Sequence, residues 1–194
     1  MTGIQRVCVY CGSSGRVAEP YREAARRTGR LLAEAGMELV YGGGHVGLMG
    51  LAADAALDAG GRVIGIIPDF LHSRELTHKS LSELIVVGSM HERKQRMFER
   101  ADAFAILPGG FGTLDEAFEC MTWKQLGLHD KPIVILDADG YWKPLVALLD
   151  HAIAAGFAPP RVRDAIQVVP SPEALIAVLK SAAAPQVPPR PERA

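Results

Sequence analysis

Short apolar runs rich in β-branched residues alternate with longer Ala- and Leu-rich amphipathic segments along most of the chain. Residues 6–10, 37–41, 62–67, 83–87, 103–107, 132–136 and 165–169 read as strands. Helices are expected from about 20 to 36, from the glycines after 41 to about 59, and over 91–100, 113–126, 141–155 and 172–182. Strands that take turns with helices leave each strand-to-strand connection long enough for a right-handed crossover. The expected fold is therefore α/β, Rossmann-like and doubly wound, a mostly parallel sheet with helices on both faces. In such a sheet the carboxyl ends of the strands share one edge, so the loops starting at Cys11, Gly42, Pro68, Gly88 and Pro108 should converge where ligands bind.

The 194 residues suit one domain, expected over 1–184, that closes a core without disulfides or a structural metal. Residues 185–194 hold four prolines in ten and are expected to form a disordered tail. Twenty-one basic against 22 acidic side chains give a formal charge of −1, which argues against nucleic acid or an anionic membrane as partner. No apolar run nears the roughly 18 residues of a membrane span, and the start lacks a signal pattern, so a cytoplasmic location is expected. Cys8 and Cys11 spell C-x-x-C, but they lie in or beside a strand and no second pair completes four zinc ligands. Reduced thiols and no metal site are expected.

Two glycine loops stand at the ligand edge. Gly42-Gly43-Gly44-His45-Val46-Gly47 satisfies G-x-G-x-x-G between a strand and a helix, the setting of a dinucleotide pyrophosphate site. The acidic residue due about 20 positions on is missing, with Arg62 in its place, so a nucleotide is kept and NAD demoted; a bare tight turn is the alternative. Pro108-Gly109-Gly110-Phe111-Gly112-Thr113-Leu114-Asp115-Glu116 is the stronger signal. Its glycines free the backbone to wrap a phosphate, and the helix start supplies unpaired N–H donors. Glu116 has two readings. Thr113-Leu114-Asp115-Glu116 spells a T-x-x-E capping box. Alternatively the carboxylate faces a ribose, where it would support the positive charge that develops as a glycosidic bond breaks.

Ser89-Met90-His91-Glu92-Arg93-Lys94 places two cations at the same edge. A solvated helix face is the bland reading, since Glu92 and Glu99 are interspersed. Yet Arg93 and Lys94 sit near a helix start, where the dipole disfavours cations, which suggests a further duty. His78-Lys79 resembles the lysine of pyridoxal-phosphate decarboxylases, but nothing else in the sequence supports that cofactor. His45, His91 and His129 are scattered and read as turn or surface residues.

Taken together, the runs at 42–50, 90–94 and 108–116 resemble the LOG ("Lonely guy") family. The resemblance spans about 6–169 and implies hydrolysis of the N-glycosidic bond of an adenosine-type 5′-monophosphate, without cofactor, in a homodimer. It implies Arg93 and Glu116 as the catalytic pair. As substrate contacts it implies Glu75, Lys94, Gly110, Phe111, Gly112, Thr113, Leu114, Asp115, Glu116 and Thr122, to which Gly109, Ser13, Gly43 and Gly44 at the same edge are added. Thr122 points about 120° away from Glu116 on an ideal helix. Phe111 stands where tyrosine is frequent in the family, and His45 where serine is common. A non-catalytic nucleotide carrier or sensor of the same fold is the alternative.

Overall fold

All seven expected strands form, and every neighbouring pair is parallel. The computed structural model describes residues 3–72 and 77–186. Strands β1 (Arg6–Tyr10), β2 (Glu38–Tyr41), β3 (Val63–Pro68), β4 (Glu83–Val87), β5 (Ala103–Ile106), β6 (Ile133–Leu136) and β7 (Ile166–Val169) make one sheet in the order β4-β3-β2-β1-β5-β6-β7. The helices are α1 (Glu19–Glu34), α2 (Gly47–Asp58), α3 (Asp69–His72), α4 (Met90–Arg100), α5 (Phe111–Gln125), α6 (Lys143–Ala154), α7 (Arg161–Asp164) and α8 (Pro172–Ser181). The single-turn helices α3 and α7 are too short to carry a readable apolar period.

Period-two alternation divides the strand residues between two cores. Val7 and Val9 of β1 and Cys11 just after it join Leu32, Leu48, Ala52 and Leu175 under α1, α2 and α8. Cys8 and Tyr10 join Met97, Phe98, Ala117, Met121 and Leu145 under α4, α5 and α6. Burying each such large side chain is worth about 1.5–3 kcal/mol, so a sheet covered on both faces needs no metal or disulfide. The alternation also settles the C-x-x-C string. Cys8 and Cys11 are free, buried and on opposite faces of the sheet, so they cannot share a metal ion.

Helices α1 and α2 touch backbone to backbone: a Cβ on Gly29 would lie 2.0 Å from the Ala52 carbonyl oxygen. On the other face, Lys131 is buried, its ammonium 4.2 Å from the Phe98 ring centroid and bonded to the Phe98 carbonyl. Burial lowers its pKa to about 8. His129, expected in a turn or at the surface, is also buried. It stacks edge-on against Phe98 and Phe104, Nε2 meets the Cys120 carbonyl at 2.9 Å, and Nδ1 accepts the Lys131 N–H. An apolar slot that satisfies both ring nitrogens overrides the residue's surface preference.

The chain steps outward from β1 through β2, β3 and β4, then α4 carries it back to β5 on the other side of β1. The connections therefore diverge between β1 and β5, which opens a crevice at the carboxyl edge. Expected residue Glu75 and positions 187–194 of the expected tail lie outside the described residues.

Candidate active site

The two glycine loops open this crevice from opposite sides, and only one of them leaves a helix start free. At α2 the Leu48 N–H donates to the Gly12 carbonyl at 2.9 Å, and a Cβ on Gly47 would lie 2.4 Å from the Ser13 carbonyl carbon. The loop after β1 thus covers part of the α2 N-terminus and takes one of its N–H donors. At α5 the helix begins at Phe111, with Gly110 as a cap that supplies no side chain. The N–H groups of Phe111, Gly112 and Thr113 precede the first intrahelical donor, Leu114, which bonds to Gly110 at 2.9 Å. They and the helix dipole form the open anion site.

The same helix start resolves the two readings of Glu116. A capping box requires Thr113 to be the N-cap, but the helix begins two residues before it, and Thr113 is the third helical residue. Glu116 lies six positions past the cap, where it cannot return to a cap N–H. A real S-x-x-E cap occurs instead on α4. The Ser89 hydroxyl accepts the Glu92 N–H at 3.1 Å, while the Glu92 carboxylate accepts the Gly88 N–H at 3.0 Å.

Arg93, only 9% exposed, bridges the carboxyl ends of two strands. Its Nε–H donates to the Ile66 carbonyl at 3.2 Å and an Nη2–H to the Gly42 carbonyl at 3.1 Å. The approach needs a glycine, because a Cβ on residue 42 would lie 1.7 Å from Nη2. The first glycine of the G-x-G-x-x-G string therefore makes room for an arginine, not for a dinucleotide.

Arg93 and Glu116 line one central chamber of about 190 Å³, together with Cys11, Gly12, Ser13, Met49 and the Gly110–Thr113 backbone. Glu116 is half-buried. Burial pushes its carboxyl up to about 7, with Asp115 and Glu119 adding to the rise and Arg93 and Lys94 opposing it. Two further chambers open from the central one. One, of about 320 Å³, continues past Arg93, Ser13 and Gly44 between Val46, Met49, Ile67 and Leu71. The other, of about 360 Å³, runs from Gly109 and Gly110 towards Val17, Tyr21, Leu48 and Tyr141. A separate cavity of about 280 Å³ near α7, lined by Lys124 and Arg161, includes none of the expected site residues.

Of the expected contacts, Ser13 lines all three chambers, Gly109 and Gly110 line the chamber towards Tyr21 and Tyr141, and Gly110, Phe111, Gly112 and Thr113 line the central one. Gly44 lines the chamber beyond Arg93. Gly43 acts behind it, at φ +73° with its carbonyl accepting the His78 N–H. Leu114 packs under α5 and not into the cleft. Asp115 and Lys94 bond to each other at 3.1 Å, and neither lines a chamber. Thr122 is exposed on α5, away from Glu116. Cys11, Gly12 and Met49 line the centre without having been singled out; only the placement of a loop at Cys11 pointed towards them.

No lysine lines the three chambers. Lys79 is exposed, and the preceding His78 is held on Asp54 at 2.8 Å, so the residues present do not fit a Schiff-base cofactor.

A family model described as "Possible lysine decarboxylase" matches residues 49–179. A probable cytokinin riboside 5′-monophosphate phosphoribohydrolase of Oryza sativa subsp. japonica is 48% identical over 89% of this chain and 76% of its own length. The chain belongs to the LOG family. A second member, a cytokinin riboside 5′-monophosphate phosphoribohydrolase of Arabidopsis thaliana, is 46% identical over 91% of this chain and 82% of its own length. Among solved structures, the molybdenum cofactor binding protein of Rippkaea orientalis superposes with a TM-score of 0.71 at 24% identity, covering 93% of this chain and 98% of that one. The Moco carrier protein of Chlamydomonas reinhardtii gives 0.69 at 23%, covering 91% and 95%. At such identities the likeness concerns the fold alone.

Proposed function

We propose that this LOG-family chain hydrolyses the N-glycosidic bond of cytokinin riboside 5′-monophosphates, and of AMP, releasing free base and ribose 5-phosphate. The observation that carries this is the shared chamber: a raised carboxyl and a fixed guanidinium stand beside the open N-terminus of α5 at the ligand edge. The α5 N–H groups hold the phosphate, and Glu116 faces the ribose. The base extends past Arg93 into the chamber of Val46, Met49, Ile67 and Leu71, whose apolar walls suit an N6-prenyl group. As the C1′–N bond breaks, its electron pair leaves with the base. Ionised Glu116 stabilises the oxocarbenium-like sugar and takes the proton of the water that bonds to C1′, and a proton from solvent neutralises the nitrogen of the departing base. Arg93 balances charge beside it.

A homodimer is part of this proposal. Thr122 shares an exposed i, i+4 stripe with Phe118 of α5 and Leu126 at its C-cap, 38% and 63% exposed. A subunit contact there would turn Thr122 towards the cleft of the partner.

Chromatography of incubations with AMP and with isopentenyladenosine 5′-monophosphate tests the reading, with adenine or isopentenyladenine as the expected product. Saturable binding of both nucleotides with no base released would favour the carrier. Gly42→Ala sharpens the test. The new methyl displaces the Arg93 guanidinium and not backbone, so the fold should persist, with the melting temperature lowered by about 5–15 °C as the Gly42 and Ile66 carbonyls lose their donor. Base release should drop about 100-fold as Arg93 loses its seat.

A further inference from the structure

Lys94 follows Arg93 on α4 and resembles a free phosphate ligand in the sequence, but its ammonium is already committed. It lies 3.1 Å from an Asp115 carboxylate oxygen and 3.1 Å from one of Glu119, with its side chain only 12% exposed. Asp115 and Glu119 stand one turn apart on α5 and flank Glu116 in sequence. The contact therefore ties the residue after Arg93 to the residue before Glu116.

We propose that Lys94 is a positioning residue: pinned between Asp115 and Glu119, it fixes α4 against α5 so that Arg93 and Glu116 face one substrate across the central chamber. This rests on the hydrolase reading given above. It assigns the phosphate to the α5 backbone alone and gives the cation near the α4 start a structural partner, which offsets its unfavourable place in the helix dipole. Burial works against the Lys94 charge, and Glu119 and Asp115 more than compensate, so the ammonium persists. The groups facing Glu116 are Arg93 and Lys94 from α4, Asp115, Glu119 and Cys120 on its own helix, Cys8 and Tyr10 from β1, and Cys11 just after it. Removing Lys94 takes away one of the two cations in this set, and removing Asp115 takes away one of its anions.

The experiment measures kcat, KM and the kcat–pH profile for the monophosphate in Lys94→Met, Lys94→Arg and Asp115→Asn, with folding checked by circular dichroism. Positioning predicts that Lys94→Met loses about 10- to 100-fold in kcat with KM within about threefold, and that Lys94→Arg recovers most of the loss. The acid limb should move to higher pH in Lys94→Met and to lower pH in Asp115→Asn. A KM raised tenfold or more with kcat and limb unchanged would make Lys94 a phosphate ligand and overturn the proposal. So would wild-type kinetics in both Lys94→Met and Asp115→Asn. If Lys94→Met does not fold, Asp115→Asn decides by its turnover: a kcat lowered severalfold with KM unchanged supports the pin, and wild-type kcat overturns it. A wild-type protein that releases no base contradicts the hydrolase reading itself, a result separate from any of these.

Discussion

Glu116→Gln will lower kcat for base release by about 10³-fold and leave the fold intact. The amide keeps the shape of the side chain but can neither carry the charge that meets the oxocarbenium-like sugar nor take a proton from water, effects each worth about 10²–10⁴. In the wild type, kcat should fall about tenfold per unit as pH drops below about 7, where burial has placed the carboxyl. The variant should lose that limb. Stability should move the opposite way. A carboxyl raised from 4.5 to about 7 in the folded state favours folding fully below 4.5 and loses that contribution as pH rises through 7. Glu116→Gln should therefore be more stable than wild type at pH 8, by up to about 3 kcal/mol, and no different at pH 4, as read by urea denaturation. A cap residue would show the reverse, with stability lost and activity kept.

Arg93→Lys should lower kcat by about 10²-fold despite retaining the charge. The guanidinium donates at once to the Ile66 and Gly42 carbonyls through a rigid fork, and a single ammonium on a flexible stem cannot span both with the same aim. One buried carbonyl loses its partner, at a cost of about 1–2 kcal/mol in denaturation experiments. The cation opposite Glu116 is then less firmly held, so the acid limb of the kcat profile should move upward. A lysine variant with wild-type turnover would mean that the fork serves only to seat α4.

The alternation of strands and helices was legible because periodicity and glycine punctuation are local properties. The seven strands and their common direction follow from them. Helix starts were less legible. Thr113-x-x-Glu116 and Ser89-x-x-Glu92 are the same phrase in the sequence, yet only the second is a cap, because Gly110 begins α5 before Thr113 is reached. No local rule distinguishes them. The same holds for the glycines. Gly42 and Gly47 looked like a pyrophosphate loop, but each is required by a neighbour from elsewhere in the chain, Arg93 in one case and the Ser13 backbone in the other. Arg93 and Glu116 were singled out from motif and edge placement. The carboxylates that hold Lys94 lie 21 and 25 positions on, across a strand, a pairing that no local pattern announces. Buried polar residues such as His129 and Lys131 were missed for a similar reason: aromatic rings and carbonyls distant in the chain make their sites.

The dependence of turnover on the 5′-phosphate probes the central claim most directly, because the open α5 N-terminus adjoins the chamber that Arg93 and Glu116 line. Comparing kcat/KM for isopentenyladenosine 5′-monophosphate with that for isopentenyladenosine should show a preference of about 10³-fold or more for the phosphorylated form, the phosphate's binding energy holding C1′ against Glu116. Equal values for the two would mean that the exposed amides of Phe111, Gly112 and Thr113 hold nothing during the reaction, and the assignment of the site would fall.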